Sequence, residues 1–478
     1  MPGVAPGLLL QEPRMDTETR QTQSTKALGW KERVLSPFAK VEAGEAGNVV
    51  LMTVCVFLIL CAYYVLKTSR EGLILTGGVF GLDGAELKIY ASGAMAILLM
   101  GLIPAYSSLA NRVSRLRLIN YSYTGVLVSL AVFFVLGRAG VPVGLPFLIW
   151  LGLVSVFLIA QFWSYANDIY SEEQGKRLFA VIAIGGSAGA IVGPKLTELA
   201  DTFTLMLVAA GILAGCLVLF NLINRRATPA TADGKGKGKD KDGDEGPTSG
   251  PGGFTLILKD RYLLLIGVMV LVANLVNSMG EFLLSTAAAH HAAELVPGVS
   301  SDPAVSDARR EIIKAFYGDF FFWVNLVGFL IQAFLVSRII KWIGVRGALF
   351  IMPIVAFGTY GAIAVIGGLM ITRTMKVAEN STDYSLHNTV RQALFLPTSR
   401  DAKYKAKAAI DVFFVRFGDT ISAVVVGVGL HSLGMDVRGL AFVNVALIAV
   451  WIMVVIAIAR RHKAFKTDEG KEAEEAKA

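Results

Sequence analysis

Charge is what this sequence has least of. Of 478 residues, 17% are Asp, Glu, Lys or Arg and 54% are hydrophobic, with a mean hydropathy of +0.59. A soluble domain has no interior large enough for so much apolar side chain, so that class is excluded and a polytopic membrane protein remains. Cysteine is also scarce. Cys55, Cys61 and Cys216 all lie inside apolar runs and lack metal-ligand spacing, which leaves them as packing residues. Walker loop, nucleophile elbow, HExxH and CxxC are missing as well, so the chain offers no enzyme constellation, and no cofactor is called for. The net charge of +8 could in a soluble protein point to nucleic acid. Here the basic residues sit in short loops between apolar runs, where they set orientation in a bilayer, and no nucleic-acid partner is expected.

Apolar runs long enough to span begin near residues 48, 89, 118, 145, 178 and 204, and again near 262, 312, 346, 372, 408 and 437. The expected fold is therefore all-α, with about twelve transmembrane helices in two six-helix halves at 48–224 and 254–460. Between them, residues 225–253, rich in Gly, Lys and Asp, read as a disordered cytosolic linker. Residues 1–47 read as a cytosolic tail, since the apolar GLLL at Leu8 is followed at once by Glu12, Arg14 and Asp16. Residues 461–478 form a charged tail. Basic loops at Arg112 to Arg117, Lys176 and Arg177, Arg338 to Arg346, Arg400 to Lys407 and Arg460 to Lys463 fall on one side. By the positive-inside rule that side, with both termini, is the cytoplasm, and the setting is a cell membrane, a bacterial inner membrane being expected. Arg309 and Arg310 run against the count. The likeness of the loops after spans two and eight, and after four and ten, points to a six-plus-six repeat with a substrate site between the halves.

The least apolar candidate span is Arg373 to Asp419. Arg373, Lys376, Asn380, Asp383, Tyr384, His387 and Arg391 share a face at 100° per residue. A helix from Arg373 to Arg391 climbs roughly 28 Å, close to the hydrocarbon thickness. Each charge at that depth costs about 2.5 kcal/mol or more against lipid, so the face must meet protein or water unless the segment lies outside the membrane.

Further ionisable groups sit where water is scarce. Lys67, Arg70 and Glu71 end the first span, where Lys67 either snorkels or lines a cavity. Asp168 closes the fourth span, as an interfacial end or a working acid. Glu281 shares a face with Asn274 and Asn277. Asp411, Arg416 and Asp419 fall in the eleventh span; Asp411 and Arg416 are five apart, poor helical partners, and are expected to meet other spans. Cations from spans one, ten and eleven suit an anionic small-molecule substrate, because guanidinium pairs phosphate or carboxylate with a planar fork. Lys67, Arg70, Arg391 and Arg416 are the candidates to bind it, with Tyr384 and His387 beside it. Glu71, Asp168, Glu281, Asp383, Asp411 and Asp419 are candidates for coupling or gating, as proton carriers or as ion pairs that hold an empty cavity shut. Gly185, Gly186, Gly189 and Gly193 make a small-residue face for close helix packing.

Four stretches carry a family resemblance: YYVLKTSREGLIL, FWSYANDIYSEEQGKRLFAVIAIGGSAG, DYSLHNTVRQALFLP and KAKAAIDVFFVRFGD. Together they resemble the ATP/ADP antiporter family, the nucleotide transporters of obligate intracellular bacteria and plastids. The resemblance implies a major-facilitator-like carrier working by alternating access on nucleotides. Arg70 and Glu71 fall on the family's basic-acidic pair, and Arg391 on a basic position. Three departures stand out: Asp419 where the nucleotide exchangers carry lysine, no acid upstream of Phe162 and Trp163, and Asn388 and Gln392 where each has an acid. The alternatives are a proton-coupled carrier of another metabolite and, from a different class, a non-transporting membrane receptor or scaffold.

Overall fold

A computed structural model describes residues 42, 45–78, 81–110, 113–226, 253–399 and 402–475. Most of the N-terminal tail, most of the linker, Arg112, Arg400 and the last three residues lie outside the described residues, and the charged C-terminal stretch to Glu475 continues the last helix. The described chain is all-helical apart from its turns. The helices are α1 (Ala46–Leu75), α2 (Gly84–Ala110), α3 (Arg115–Arg138), α4 (Gly144–Ile169), α5 (Glu172–Leu196) and α6 (Thr202–Arg226). After the linker come a short helix at Gly253–Lys259, α7 (Arg261–Leu295), α8 (Pro303–Leu330), α9 (Val336–Ala348), α10 (Ile351–Val365) and α11 (Leu369–Thr382). They are followed by α12 (Asn388–Ala393), the single turn α13 (Lys407–Ala409), α14 (Val415–Gly427) and α15 (Val437–Glu475). Nine of the described helical stretches are long and apolar enough to cross a membrane. α10 is apolar but shorter. The stretch built from α11 and α12 carries too many charges to qualify by apolarity.

Local chemistry starts and stops these helices. Ser171 and Gln174 form a reciprocal capping box at the head of α5. Asp260 accepts from the Tyr262 amide at 2.7 Å, and Asp302 caps α8 ahead of Pro303 at its first position. Glu45, at the head of α1, accepts from Gln174 Nε2 at 2.9 Å and Arg177 Nη2 at 3.1 Å, tying α1 to the start of α5. Gly344 holds φ at 70°, a left-handed value that suits glycine, and kinks α9 between Lys341 and Arg346.

Two apolar clusters make up the interior. One is drawn wholly from residues 46–223. The other comes mainly from residues 257–458 and takes in Tyr64, Ile74, Leu75 and the first turns of α2. α1 packs along α5 and α6 in the first cluster, and α15 along α7 and α10 in the second. Across the two, α2 packs on α14, and α8 on α1 and α5. The cysteines are free and buried, with Cys216 Sγ 3.7 Å from the Cys55 carbonyl oxygen.

The glycine face of α5 lies flat on α1. A Cβ on Gly185 would strike the Thr53 carbonyl, one on Gly189 the Phe57 carbonyl, and one on Gly193 the Cys61 carbonyl. Gly186 is turned aside, with Val56 Cγ2 at an ordinary 3.5 Å. Gly189→Ala should therefore destabilise the protein by about 1–3 kcal/mol, as overpacked helices must separate. Gly186→Ala should leave stability unchanged. Thermal unfolding of both purified variants checks this, and equal melting temperatures would remove close packing as the role of Gly189.

Candidate functional site

Side chains from six helical stretches, four of them contributing charges, converge on a cavity of about 210 Å³. Its walls carry Lys67, Arg70 and Glu71 of α1, Lys88 of α2, and Asn277, Ser278 and Glu281 of α7. They also carry Phe321 of α8, Tyr384, and Arg416 and Asp419 of α14. A larger cavity of about 730 Å³, with Arg138, Asp201 and Arg310 on its walls, lies among the turns at one end of the bundle. Only the smaller one is built from charges set inside long helices, where a cost must be offset by a use.

Each ion in that wall is held by others. Glu71, fully buried, takes Arg70 on one oxygen, with Nε at 3.1 Å, and Lys88 Nζ on the other at 2.7 Å. Lys88 also donates to Ser285 Oγ at 2.9 Å. Asp419 accepts from Asn274 Nδ2 and Ser278 Oγ, both at 2.7 Å, and Arg416 Nη1 lies 3.3 Å from its second oxygen. Gly418 allows this, because a Cβ there would lie 2.9 Å from the Leu271 carbonyl oxygen and hold α14 off α7. Glu281 accepts from Asn380 at 3.0 Å and lies 3.5 Å from Lys376 Nζ. Lys376, fully buried, sits 2.7 Å from Glu379, whose oxygens accept from the Tyr360 hydroxyl at 2.8 and 2.9 Å. Lys67 differs: it makes no ion pair among the described residues. Its Nζ instead lies 4.3 Å from the centre of the Phe321 ring and 5.3 Å from that of Tyr64.

Of the twelve residues singled out from the sequence, the structure brings seven to this cavity: Lys67, Arg70, Glu71, Glu281, Tyr384, Arg416 and Asp419. Arg391 is elsewhere, its Nη2 donating to Asn388 and lying 3.9 Å from Asp411. His387 is buried edge-on against Trp451, with ring centres 5.7 Å apart. Asp383 is half-buried and lines no part of the cavity. Asp168 is an exposed acid paired with Arg115 at 3.0 Å.

The expected single charged face is split for a definite reason. Residues 383–387 form a π-helical turn between α11 and α12, which adds a residue to the turn and rotates everything after it. Before the turn, Arg373 pairs with Asp319, and Lys376 with Glu379 and Glu281; after it, Arg391 pairs with Asp411. Arg416 was also expected to meet another span, and pairs within its own helix instead. Lys88 and Glu379 were not singled out from the sequence. Lys88 lies one residue outside the apolar window that defined the second span, and only the helix start at Gly84 brings it inside.

The fold is that of major-facilitator-type transporters. A nucleoside transporter, NupG, superposes with a TM-score of 0.56 at 13% identity, covering 87% of this chain and 99% of that one. The human organic anion transporter MFSD10 does so at 0.52 and 16%, covering 87% and 100%. By sequence, residues 358–462 match a family model described as TLC ATP/ADP transporter. ADP,ATP carrier protein 1 of Chlamydia trachomatis is 22% identical over 345 residues, 62% of this chain and 61% of that protein. ADP,ATP carrier protein 3 of Rickettsia felis is 20% identical over 314 residues, 57% of this chain and 59% of that protein. The resemblance to the ATP/ADP antiporter family drawn from the four stretches is thereby borne out, in a multi-pass membrane protein. The chain spans less than two thirds of the length of these curated relatives.

The buried trio of Lys376, Glu379 and Glu281 generates a stability prediction. Lys376→Met leaves two carboxylates without their shared cation and should destabilise by about 3–5 kcal/mol, whereas replacing Glu379 by Met as well should recover part of the loss. Thermal unfolding of the single and double variants measures the coupling. Strictly additive losses would mean that the pair is not a stabilising unit.

Proposed function

We propose that the protein is a secondary transporter that carries an anionic nucleotide across a bacterial inner membrane by alternating access. The observation that carries this reading is the cavity: four cations and three carboxylates face one space from helices of both clusters, in a relative of the ADP,ATP carriers. Preorganised cations between two rigid halves suit a phosphate-bearing substrate, and a site at the repeat interface can be offered to either side by rocking the halves. We read the chain as twelve crossings in two six-helix halves, at 48–224 and 254–460, with the linker and both termini in the cytoplasm, as the basic loops require.

On that orientation the described contacts between the halves gather at the outer end. Lys314 Nζ donates to the Ala200 carbonyl at 2.6 Å, Glu311 accepts from the Thr202 hydroxyl at 2.9 Å, and Lys195 lies 3.3 Å from Asp319. Gly72 lets α1 approach α8 there, where a Cβ would lie 2.8 Å from the Arg310 carbonyl oxygen, and Gly318 lets α8 approach the turn after α5, where a Cβ would lie 2.9 Å from Thr197 Oγ1. On this reading the two halves are held together at the outer end. A proton-coupled carrier is the second reading, supported by the three carboxylates on the cavity wall.

Purified protein in proteoliposomes loaded with adenine nucleotides should take up labelled nucleotide by exchange. Glu71→Gln, which takes the shared counter-charge from Arg70 and Lys88, should slow exchange about tenfold or more. Uptake no greater than in protein-free liposomes would end the carrier reading, and an unchanged Glu71→Gln rate would move the path away from this cavity. If a proton is coupled, collapsing a pH gradient lowers wild-type uptake and Asp419→Asn removes that dependence. Gradient-independent uptake would dismiss the second reading.

A further inference from the structure

Taken with their direct partners, the charges around the cavity nearly cancel. Arg70 and Lys88 share one carboxylate, Glu71, while Glu281 and Glu379 share one ammonium, Lys376. Those two unequal groups offset one another, and Arg416 and Asp419 pair one to one. Five cations thus face four carboxylates, and the remaining charge is that of Lys67. Lys67 is also the cation whose chemistry is left open. It meets ring faces rather than a carboxylate, with Phe321 contributed by α8 and Tyr64 by α1.

We propose that Lys67 is the specificity-determining cation of the site, and that the near-balanced charge limits the substrate to a phosphate monoester of low charge, a nucleoside monophosphate in preference to a di- or triphosphate. This rests on the nucleotide reading above and narrows it. One phosphate group can pair with Lys67 without breaking any existing ion pair. Each further phosphate adds negative charge to a space already lined by Glu71, Glu281 and Asp419, in surroundings of low dielectric where like charges repel strongly. Asp419 cannot readily turn away, because Asn274 and Ser278 hold one of its oxygens and Arg416 faces the other. Phe321 and the exposed Tyr384 on the same wall place aromatic surface beside the phosphate position, as a nucleobase requires.

The test is ligand-induced thermal stabilisation of the full chain in detergent, without magnesium and at constant ionic strength, with adenosine, AMP, ADP, ATP, glucose 6-phosphate and inorganic phosphate. AMP should bind about tenfold or more tightly than ATP, and Lys67→Gln should lose that binding while keeping the unliganded melting temperature. Asp419→Asn, which removes one negative charge from the wall, should shift the preference toward ADP and ATP, a readout that a purely structural role would not give. ATP binding as tightly as AMP, or AMP binding unchanged in Lys67→Gln, overturns the proposal while leaving the nucleotide reading intact. Stabilisation by glucose 6-phosphate but by no nucleotide, lost in Lys67→Gln, overturns the nucleotide reading and upholds the charge limit. No stabilisation by any of the six overturns both.

Discussion

An ion inside a membrane needs a counter-ion, and much of this structure follows from that constraint. A charge left alone at membrane depth costs more than most packing contacts return, so every buried carboxylate near the cavity has a cation within reach. Pairing fixes which faces of α1, α7, α11 and α14 turn inward, and glycine decides how near they come. Gly280 shows the link: a Cβ there would run into the Tyr360 hydroxyl and sit 2.9 Å from Lys376 Nζ, so a side chain at that position would displace the groups that hold Glu379.

The fold was legible because apolar run length is a coarse signal that averages over local detail. Runs of about 20 residues located the nine described stretches that are long and apolar enough to span. Individual charges were most legible where a shared helical face could be read across a regular helix. Glu281 was found through its face with Asn274 and Asn277, and α7 is an uninterrupted α-helix of 35 residues. Arg391 was misplaced because the π-turn at 383–387 lies between it and Lys376, and no sequence period records one inserted residue. Lys88 was missed for another reason: an apolar window cuts off any span at its first charge, and this charge is buried by Glu71 of the neighbouring helix. Partnership across helices is a tertiary property, invisible to periodicity.

The two halves also differ in backbone character. The five described π-helical segments, at 331–335, 383–387, 402–406, 410–414 and 428–432, all fall after the linker. The described stretches before the linker run as regular α-helix, with one described turn of 3-10 helix at Thr197–Leu199. A π-turn exposes backbone carbonyls and shifts side-chain register, so it belongs where charges must be aimed rather than merely spaced.

Pairs within a half and pairs across halves would have different fates in the rocking carrier proposed above. The ion pairs of the cavity, Glu71 with Arg70 and Lys88, Lys376 with Glu379 and Glu281, and Arg416 with Asp419, each lie wholly before or wholly after the linker. They can travel intact when the halves move. Lys195 with Asp319, Lys314 with the Ala200 carbonyl, Glu311 with Thr202 and His431 with Glu86 instead join the two, and these must part for the sealed end to open. Most of them sit near the turns, where water can take over the freed groups, so their loss costs far less than breaking a pair in the interior. In that proposal this division would let the binding wall stay charged and rigid while the seal remains weak enough to release.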